Sequence, residues 1–439
     1  MTPENIAETA APARRSILRD RNFLRLWTGE TVSMLGSVIT YFALSVIAVE
    51  LLGATPGQMG LIRILGEAPA LVVGLMVGVW VDRLAKRRLL VTLDLLAGAA
   101  VATVPIAYAF GVLSLGQLFA LAIFFGVLDT FWDPAWGSFL PRVVPPDRLV
   151  DANSKVMLSV SATGVVGPGL AGFLVAAISA PGAMVADAVS FLYSAFSVGG
   201  VRSRTDAVPV EEDDDVGVSI RSRILEGLRV AFLDPLQRSV TAPSALLALV
   251  DSMSLAVYVI YVLRTVAMPA WALGVALMFG SAGFLIGSTI APRLERRLGA
   301  GRAALLGLGL VGASPFTMVL ANSDHPLWLN LVFFAIPGLV GGFGGIIQWV
   351  MLSSIRQATI PERLLGRVFS SIAVLRAVAG IGGAAIGGWL GEAIGTRPTI
   401  LVVAFGYTVP FFLSLVTPLR TATTTPAGPE GAASIEPDA

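Results

Sequence analysis

The sequence predicts an all-α membrane protein with twelve transmembrane helices in two pseudo-symmetric six-helix halves. Three observations support this prediction. Of the 439 residues, 55% are hydrophobic and only 13% are charged, which is too apolar for an ordinary soluble domain. The apolar stretches are long and continuous. A turn followed by a basic cluster also occurs twice in the chain, once in each half.

The apolar stretches reach the length that a membrane-spanning helix needs, about 20 residues for a hydrocarbon core of roughly 30 Å. The ten-residue alternating pattern of barrel strands is absent from them. A helix, which satisfies its own backbone hydrogen bonds, is therefore favoured over a closed barrel. The predicted spans are residues 22–48, 57–81, 88–110, 117–139, 152–178, 182–200, 240–262, 271–291, 302–321, 326–350, 366–390 and 397–418.

The repeated turn lies between the second and third spans and again between the eighth and ninth. The first copy reads GVWVDRLAKRR from Gly78, and the second reads GSTIAPRLERR from Gly287. Gly74 precedes the first copy at the same spacing as Gly283 precedes the second. A long repeat of this kind predicts two related halves that pack as one membrane protein.

The distribution of charge predicts the domain organisation and the topology. All but four of the 30 Lys and Arg residues fall in segments that the span pattern places on one side of the membrane. Positive loops face the cytoplasm, so both termini are predicted to be cytoplasmic in a multi-pass protein of the cytoplasmic (inner) membrane. The predicted parts are a cytoplasmic N-terminus (1–21), an N-terminal half (22–200), a cytoplasmic linker (201–238), a C-terminal half (239–419) and a disordered tail (420–439).

Several classes of function find no support in the sequence. The chain has no cysteine, so disulfides and thiolate metal sites are excluded. Metalloprotease, phosphate-loop and paired His and Asp patterns are missing, so we expect neither an enzyme nor a cofactor or metal site. The basic loops report topology rather than nucleic acid binding. The expected partners are a small-molecule substrate, protons and membrane lipid, with the monomer as the functional unit.

The first copy of the turn carries a family resemblance. Its motif residues match the loop between the second and third spans of the major facilitator superfamily, namely Gly78, Asp82, Arg83, Arg87 and Arg88. The shorter motifs NFLRLW from Asn22 and DPA from Asp133 resemble the branch of macrolide-efflux proteins and siderophore exporters. The resemblance implies the major facilitator fold and proton-driven export. It also implies that spans one, four, seven and ten line a central cavity.

The motif turn is expected to act as a cytoplasmic gate. In one conformation Asp82 would meet the positive N-terminal end of span eleven, a contact that breaks when the cavity opens. The alternative is that the basic cluster only fixes the topology. The second copy of the turn has Ala291 and Pro292 in place of Asp and Arg. Span four also lacks the arginine-centred motif of several antiporter groups, so proton coupling must come from other residues.

Ionisable residues inside spans cost roughly 2.5 to 3.5 kcal/mol at the centre of a helix, which makes each of them a functional candidate. Burial favours the protonated form of a carboxyl group, so such a group can take up and release a proton. The candidates for proton coupling are Asp129, Asp251, Glu67 and Glu30, and the candidate charge partners are Arg376 and Arg63. The resemblance places Asp129 and Asp251 opposite each other. Alternatively, Arg376 pairs with Glu67 or Asp251 and leaves no free titrating group there.

Aromatic and amide side chains are candidates for the substrate cavity. Trp132 and Trp136 are four residues apart, on one face of span four, where they could stack against a planar or cationic compound. They could equally be interfacial anchors. Further candidates are Tyr41, Tyr258 and Gln348.

The expected function is secondary active transport that exports drugs or small secondary metabolites by proton antiport with alternating access. Two alternatives are a dedicated siderophore or natural-product exporter and a permease for nutrient uptake or facilitated diffusion. An alternative of another class is a non-transporting membrane receptor or scaffold, which would not need acids in the middle of the membrane.

Overall fold

The structure is a computed structural model that describes residues 17–202 and 229–422. Over these ranges it consists of helices joined by short turns and contains no strand. Seven residues within them are described by their backbone alone, namely Leu75, Met76, Gly78, Val79, Asp82, Glu362 and Arg363.

Each half contributes six long helices from the part of the chain that the structure describes. The N-terminal half has α1 (Arg21–Leu51), α2 (Pro56–Arg83), α3 (Lys86–Ala109), α4 (Leu115–Val143), α5 (Leu149–Ile178) and α6 (Ala180–Gly199). The C-terminal half has α7 (Pro235–Thr265), α8 (Ala270–Leu298), α9 (Ala300–Leu320), α10 (Leu327–Thr359), α11 (Glu362–Ala393) and α12 (Thr396–Leu415). The predicted all-α membrane fold is confirmed.

Eleven of these helices, counted over the described residues, are long and apolar enough to cross a membrane. The twelfth, α2, has 28 residues. The helices α8 and α10 continue past the predicted span ends at residues 291 and 350. Hydropathy falls where charged residues begin, but a helix can continue beyond the hydrocarbon core because its backbone bonds are internal. Hydropathy therefore located the spans and underestimated these two helix lengths.

Local sequence explains where several helices begin. The Asp20 carboxylate accepts hydrogen bonds from the backbone N–H groups of Asn22 (2.8 Å) and Phe23 (3.2 Å), which caps α1. Thr55 and Gln58 form a reciprocal capping box at the start of α2. These side chains satisfy the backbone donors that the first turn of a helix leaves without partners.

The two halves share an irregularity that supports their common origin. Helices α1 and α7 both finish in a π-helical turn, Ile47–Leu51 in the first and Tyr261–Thr265 in the second. Each turn is followed two residues later by a residue with positive φ, 70° at Gly53 and 58° at Ala267. The same backbone path therefore ends the first helix of each half.

The halves meet mainly through α2 against α11 and α5 against α8. We call the end of the bundle where α1 ends and α2 begins the upper end, and the opposite end the lower end. One buried hydrophobic cluster, which reaches from the upper end towards the middle, contains residues of both halves, such as Val49 and Tyr261. In the lower part, separate clusters belong to the N-terminal half around Phe139 and to the C-terminal half around Met351. The apolar cores are therefore joined above and separate below.

Candidate functional site

A cavity of about 520 Å³ lies between the halves, and we call it the central cavity. It is bounded by α2 and α4 on one side and by α7 and α11 on the other. Most of its lining residues are small. The charged ones comprise four carboxyl groups and two guanidinium groups, so ionisation of all six gives an excess of two negative charges. These charged residues are Glu67, Asp129, Asp133, Asp251, Arg63 and Arg376.

Arg63 and Glu67 form a salt bridge of 2.6 Å across one turn of α2. Their side chains are 46% and 26% exposed, so water reaches both charges. The second oxygen of Glu67 faces the other half, since a Cβ atom added at Gly380 of α11 would lie 2.8 Å from it. Glu67 therefore lies between its arginine and the C-terminal half.

Asp129 is held by a residue of α1. The Tyr41 hydroxyl donates a hydrogen bond of 3.0 Å to Asp129 Oδ2. Both residues are exposed rather than packed in the core, and Asp129 lines the central cavity. The structure thus brings a proton-coupling candidate together with a substrate-cavity candidate from a distant part of the sequence.

Asp251 has a matching partner in the C-terminal half. The Tyr407 hydroxyl, from α12, donates a hydrogen bond of 2.6 Å to Asp251 Oδ1. Arg376 lines the same cavity but lies within 4 Å of no described carboxylate. The direct ion pair of Arg376 with Glu67 or Asp251, which was the alternative, is therefore absent from the described residues. Each half presents a carboxyl group that is hydrogen-bonded to a tyrosine.

A smaller cavity of about 270 Å³, the side cavity, lies inside the C-terminal half among α7, α9, α10, α11 and α12. Asp251 and Arg376 line both cavities, so the two are adjacent. Gln348, which we predicted to line the substrate cavity, lines this side cavity, as do Trp349 and Arg356.

Three aromatic candidates are not among the residues that line these cavities. The rings of Trp132 and Trp136 stack on each other with centroids 5.4 Å apart, and both pack against the hydrophobic cluster of the N-terminal half. Tyr258 is only 9% exposed and meets Phe334 edge to face at 5.9 Å. These rings bury their apolar area in the helix bundle, which is more favourable than leaving it in a wet cavity.

Glu30 is also outside the lining of both cavities. It is 5% exposed and lies inside the N-terminal half, as does Asp94 at 4%. The structure therefore separates Glu30 from the other three acids predicted for proton coupling.

The structure describes the side chains of the predicted gate only in part. Gly78 and Asp82 are described by backbone alone, so the contact of Asp82 with α11 remains a prediction. Arg83 and Arg88 are exposed. Arg87 donates a hydrogen bond of 3.1 Å to the backbone oxygen of Val201, which fastens the start of α3 to the end of α6. Within residues 17–202 and 229–422, no group of three or more acidic or histidine side chains could hold a metal ion.

The sequence profile of the Major Facilitator Superfamily matches residues 26–384. This chain belongs to that superfamily. Its members are transporters rather than enzymes, so the predicted resemblance and the expectation of a non-enzymatic protein are both confirmed.

Named relatives place this superfamily member near drug-efflux proteins. It is 29% identical over 363 residues to the multidrug efflux pump Tap of Mycolicibacterium fortuitum, covering 78% of this chain and 83% of that protein. It is 25% identical over 152 residues to macrolide efflux protein A of Streptococcus pyogenes, covering 35% of this chain and 37% of that protein. A crystal structure of a bacterial homologue of the iron transporter ferroportin shares the fold, with a TM-score of 0.69, 20% identity, and coverage of 92% of this chain and 100% of that one.

Arg264, which our site prediction omitted, joins the two halves of this superfamily member at the upper end. From the end of α7 it donates hydrogen bonds to the backbone oxygens of Val49 and of Ala54, the latter at 3.0 Å. Val49 lies in the last turn of α1, where carbonyl groups lack helical partners, and Ala54 lies in the turn that follows. A cation is favourable at this negative end of a helix. The sequence signal was its position, since Arg264 is one of four cations outside the predicted basic segments.

Glu392 of α11 contacts the same turn where α2 begins. It accepts hydrogen bonds from the Thr55 hydroxyl at 2.6 Å and from the backbone N–H of Gly57 at 3.2 Å. An anion is favourable there because the N-terminal end of α2 is positive. Two residues of the C-terminal half, with opposite charges, therefore bind the α1–α2 turn, one near the end of α1 and the other at the start of α2.

Close helix contacts complete the upper closure. A Cβ atom added at Gly60 of α2 would lie 2.5 Å from the backbone oxygen of Ala384 in α11. A Cβ atom at Gly274 of α8 would lie 2.5 Å from the backbone oxygen of Pro168 in α5. Glycine is required at these positions because the backbones approach too closely for a side chain. The structure therefore describes a state in which the halves are closed at the upper end.

Proposed function

We propose that the protein exports drugs or small secondary metabolites across the cytoplasmic membrane by proton antiport with alternating access. One observation carries this proposal. Carboxyl groups from both halves, Asp129 and Asp251, line a single cavity in which acids outnumber bases by two. The similarity of this chain to Tap, whose name describes a multidrug efflux pump, supports export of drug-like molecules.

The excess of acids favours two kinds of occupant, a cationic molecule and protons. A carboxyl group that lines a cavity within the membrane is stabilised either by a nearby cation or by binding a proton. Occupation by one reduces the affinity for the other, because a protonated carboxyl no longer attracts a cation. Competition between substrate and proton at Asp129 or Asp251 is the physical basis that we propose for exchange.

The membrane potential drives such an exchange when one more positive charge enters than leaves, as with one proton for a neutral substrate or two protons for a monovalent cation. A one-for-one exchange with a monovalent cation is driven by the pH difference alone. One elementary charge that crosses 100 mV supplies roughly 2.3 kcal/mol. This energy corresponds to a substrate gradient of about fifty-fold before any difference in pH is included.

The closed upper end fits one state of an alternating-access cycle. With both termini in the cytoplasm, as we propose, the upper end faces outward and the cavity is reached from the cytoplasmic side. Opening would break the contacts of Arg264 and Glu392 at the upper end and join the separate lower clusters. The single chain supplies both halves, so we propose the monomer as the transport unit.

Transport into inverted membrane vesicles tests the proposal. We expect energised vesicles that contain the protein to accumulate ethidium, a fluorescent cation, and erythromycin, a macrolide, and to lose both when a protonophore collapses the gradient. Accumulation that does not respond to the protonophore would contradict proton antiport. Failure to transport any member of a broad panel of drugs would contradict multidrug export and favour a dedicated natural-product exporter or an uptake permease.

Variants of the two cavity acids test the site. Asp129→Asn and Asp251→Asn should each reduce gradient-driven accumulation about tenfold or more, since each removes a titrating group that faces the substrate. Asp324→Asn is the matched control, because this acid lies in the exposed loop between α9 and α10. Wild-type transport by both cavity variants would show that the acids are assigned incorrectly.

A further inference from the structure

Arg356, near the end of α10, is a buried cation with unused hydrogen-bond donors. It is only 6% exposed, and its Nε and one terminal nitrogen make no hydrogen bond. It also forms no salt bridge with a described carboxylate. The sequence placed this residue among the cytoplasmic basic residues, whereas the structure places it in the lining of the side cavity.

The known neighbours of Arg356 compensate its charge only in part. The guanidinium carbon lies 5.5 Å from the centre of the Phe369 ring, and the arginine occupies the last turn of α10. A ring face and the negative end of a helix both favour a cation. Neither accepts the in-plane N–H bonds, and leaving such donors buried without acceptors is costly.

The side cavity carries the opposite charge balance to the central cavity. Its charged lining residues are Arg356, Arg376 and Asp251, which gives an excess of one positive charge. Asp251 is already the acceptor for Tyr407 at 2.6 Å. The planar guanidinium fork matches a carboxylate, with which it forms two parallel hydrogen bonds.

We propose that the side cavity binds the carboxylate group of an amphoteric substrate, with Arg356 as its partner, while the cationic group of that substrate occupies the central cavity. This inference rests on the proposed transport function and specifies its substrate class. Both cavities share Asp251 and Arg376, so they adjoin, and the proposed substrate would extend from one into the other past these two side chains. At about 270 Å³, the side cavity suits one functional group with its nearest carbons rather than a whole drug.

Binding to the purified full-length protein tests the proposal without any gradient. The probes are 4-(aminomethyl)benzoic acid, its methyl ester, which keeps only the cationic group, and 4-methylbenzoic acid, which keeps only the carboxylate. Calorimetry should show the amphoteric acid binding at least about tenfold more tightly than its ester, the difference that a carboxylate–guanidinium pair contributes. Arg356→Gln should remove this preference and leave the ester affinity unchanged, which also shows that the variant is folded. Arg356→Lys should restore part of it, because the charge returns without the planar fork.

Any one of the following results would overturn the proposal. The first is equal affinity of the wild type for the acid and its ester, or no binding of any probe up to about 10 mM. The second is an undiminished preference for the acid in Arg356→Gln. The third is binding of chloride in the side cavity with no competition from 4-methylbenzoic acid, which would show that the cavity takes only small inorganic anions. A failure of proton-driven transport would leave the measured preference intact, so the two proposals can fail separately.

Discussion

Replacing Arg264 with glutamine should shift the protein away from the state that is closed at the upper end. The guanidinium of Arg264 links the end of α7 to the backbone oxygens of Val49 and Ala54, in the other half. Glutamine is shorter and uncharged, so it cannot reach both acceptors or compensate the negative end of α1. The carbonyl groups would then be left to water, which reaches them more freely once the halves separate.

The size of the shift follows from the two bonds that are lost. A hydrogen bond to a charged group contributes roughly 1.5 to 3 kcal/mol when it is protected from water. Arg264 is exposed, so solvent reduces both contributions, and we expect about 1 to 2 kcal/mol for the pair together. This energy changes the ratio of closed to open protein by a factor of about 5 to 30.

The absence of cysteine in the chain makes the measurement direct. Spin labels on introduced cysteines at Val112 and Ile394 report the upper end, and labels at Val150 and Leu298 report the lower end. All four positions are exposed. In the Arg264→Gln protein, double electron–electron resonance should show a larger population of molecules with a long distance between the upper labels and a short distance between the lower labels.

Arg397→Gln is the matched control. Arg397 also donates to two backbone oxygens at the upper end, those of Val319 (3.0 Å) and Ala321 (2.9 Å), but all three residues belong to the C-terminal half. Its loss should reduce thermal stability without changing the distance populations. Unchanged distances in Arg264→Gln, or equal shifts in both variants, would refute the reasoning that Arg264 stabilises the upper closure.

Three further changes test other contacts. Glu392→Gln should shift the same distances in the same direction by about 0.5 to 1 kcal/mol, and no shift would exclude a contribution of this carboxylate to closure. Gly60→Ala should favour the open upper end by about 1 to 3 kcal/mol, because its Cβ atom would press on α11, whereas Gly137→Ala, with no atom within 4 Å of the added Cβ, should have no effect. Tyr407→Phe removes the 2.6 Å hydrogen bond to Asp251 and should slow gradient-driven transport several-fold at normal protein yield; an unchanged rate would show that the bond is not used.

The positions of the spans could be predicted because lipid imposes a simple requirement. A backbone in hydrocarbon must satisfy its own hydrogen bonds, so long apolar stretches form helices whatever their neighbours are. The pairing of Arg63 with Glu67 was also predictable, since residues four apart share one face of a helix. In the same way, acids such as Asp129 and Asp251 are conspicuous in apolar stretches because burying them is expensive.

Other parts of the site had no comparable signal in the sequence. A tyrosine in an apolar helix is common, so nothing indicated that Tyr407 would hold Asp251. Trp132 and Trp136 share a face, as their spacing predicts, but that face stacks within the N-terminal half. Arg356 looked like a loop cation because the predicted tenth span ended six residues before it.

The sequence by itself therefore determined which segments cross the membrane, that they form two related halves, and which of them carry charge. Only the tertiary structure decided which of those charges meet. Arg264 and Ala54 are 210 residues apart in the chain, and their contact depends on how the two halves are tilted against each other. Local periodicity holds information about one helix at a time, whereas the cavity and its upper closure are properties of surfaces contributed by several helices of both halves.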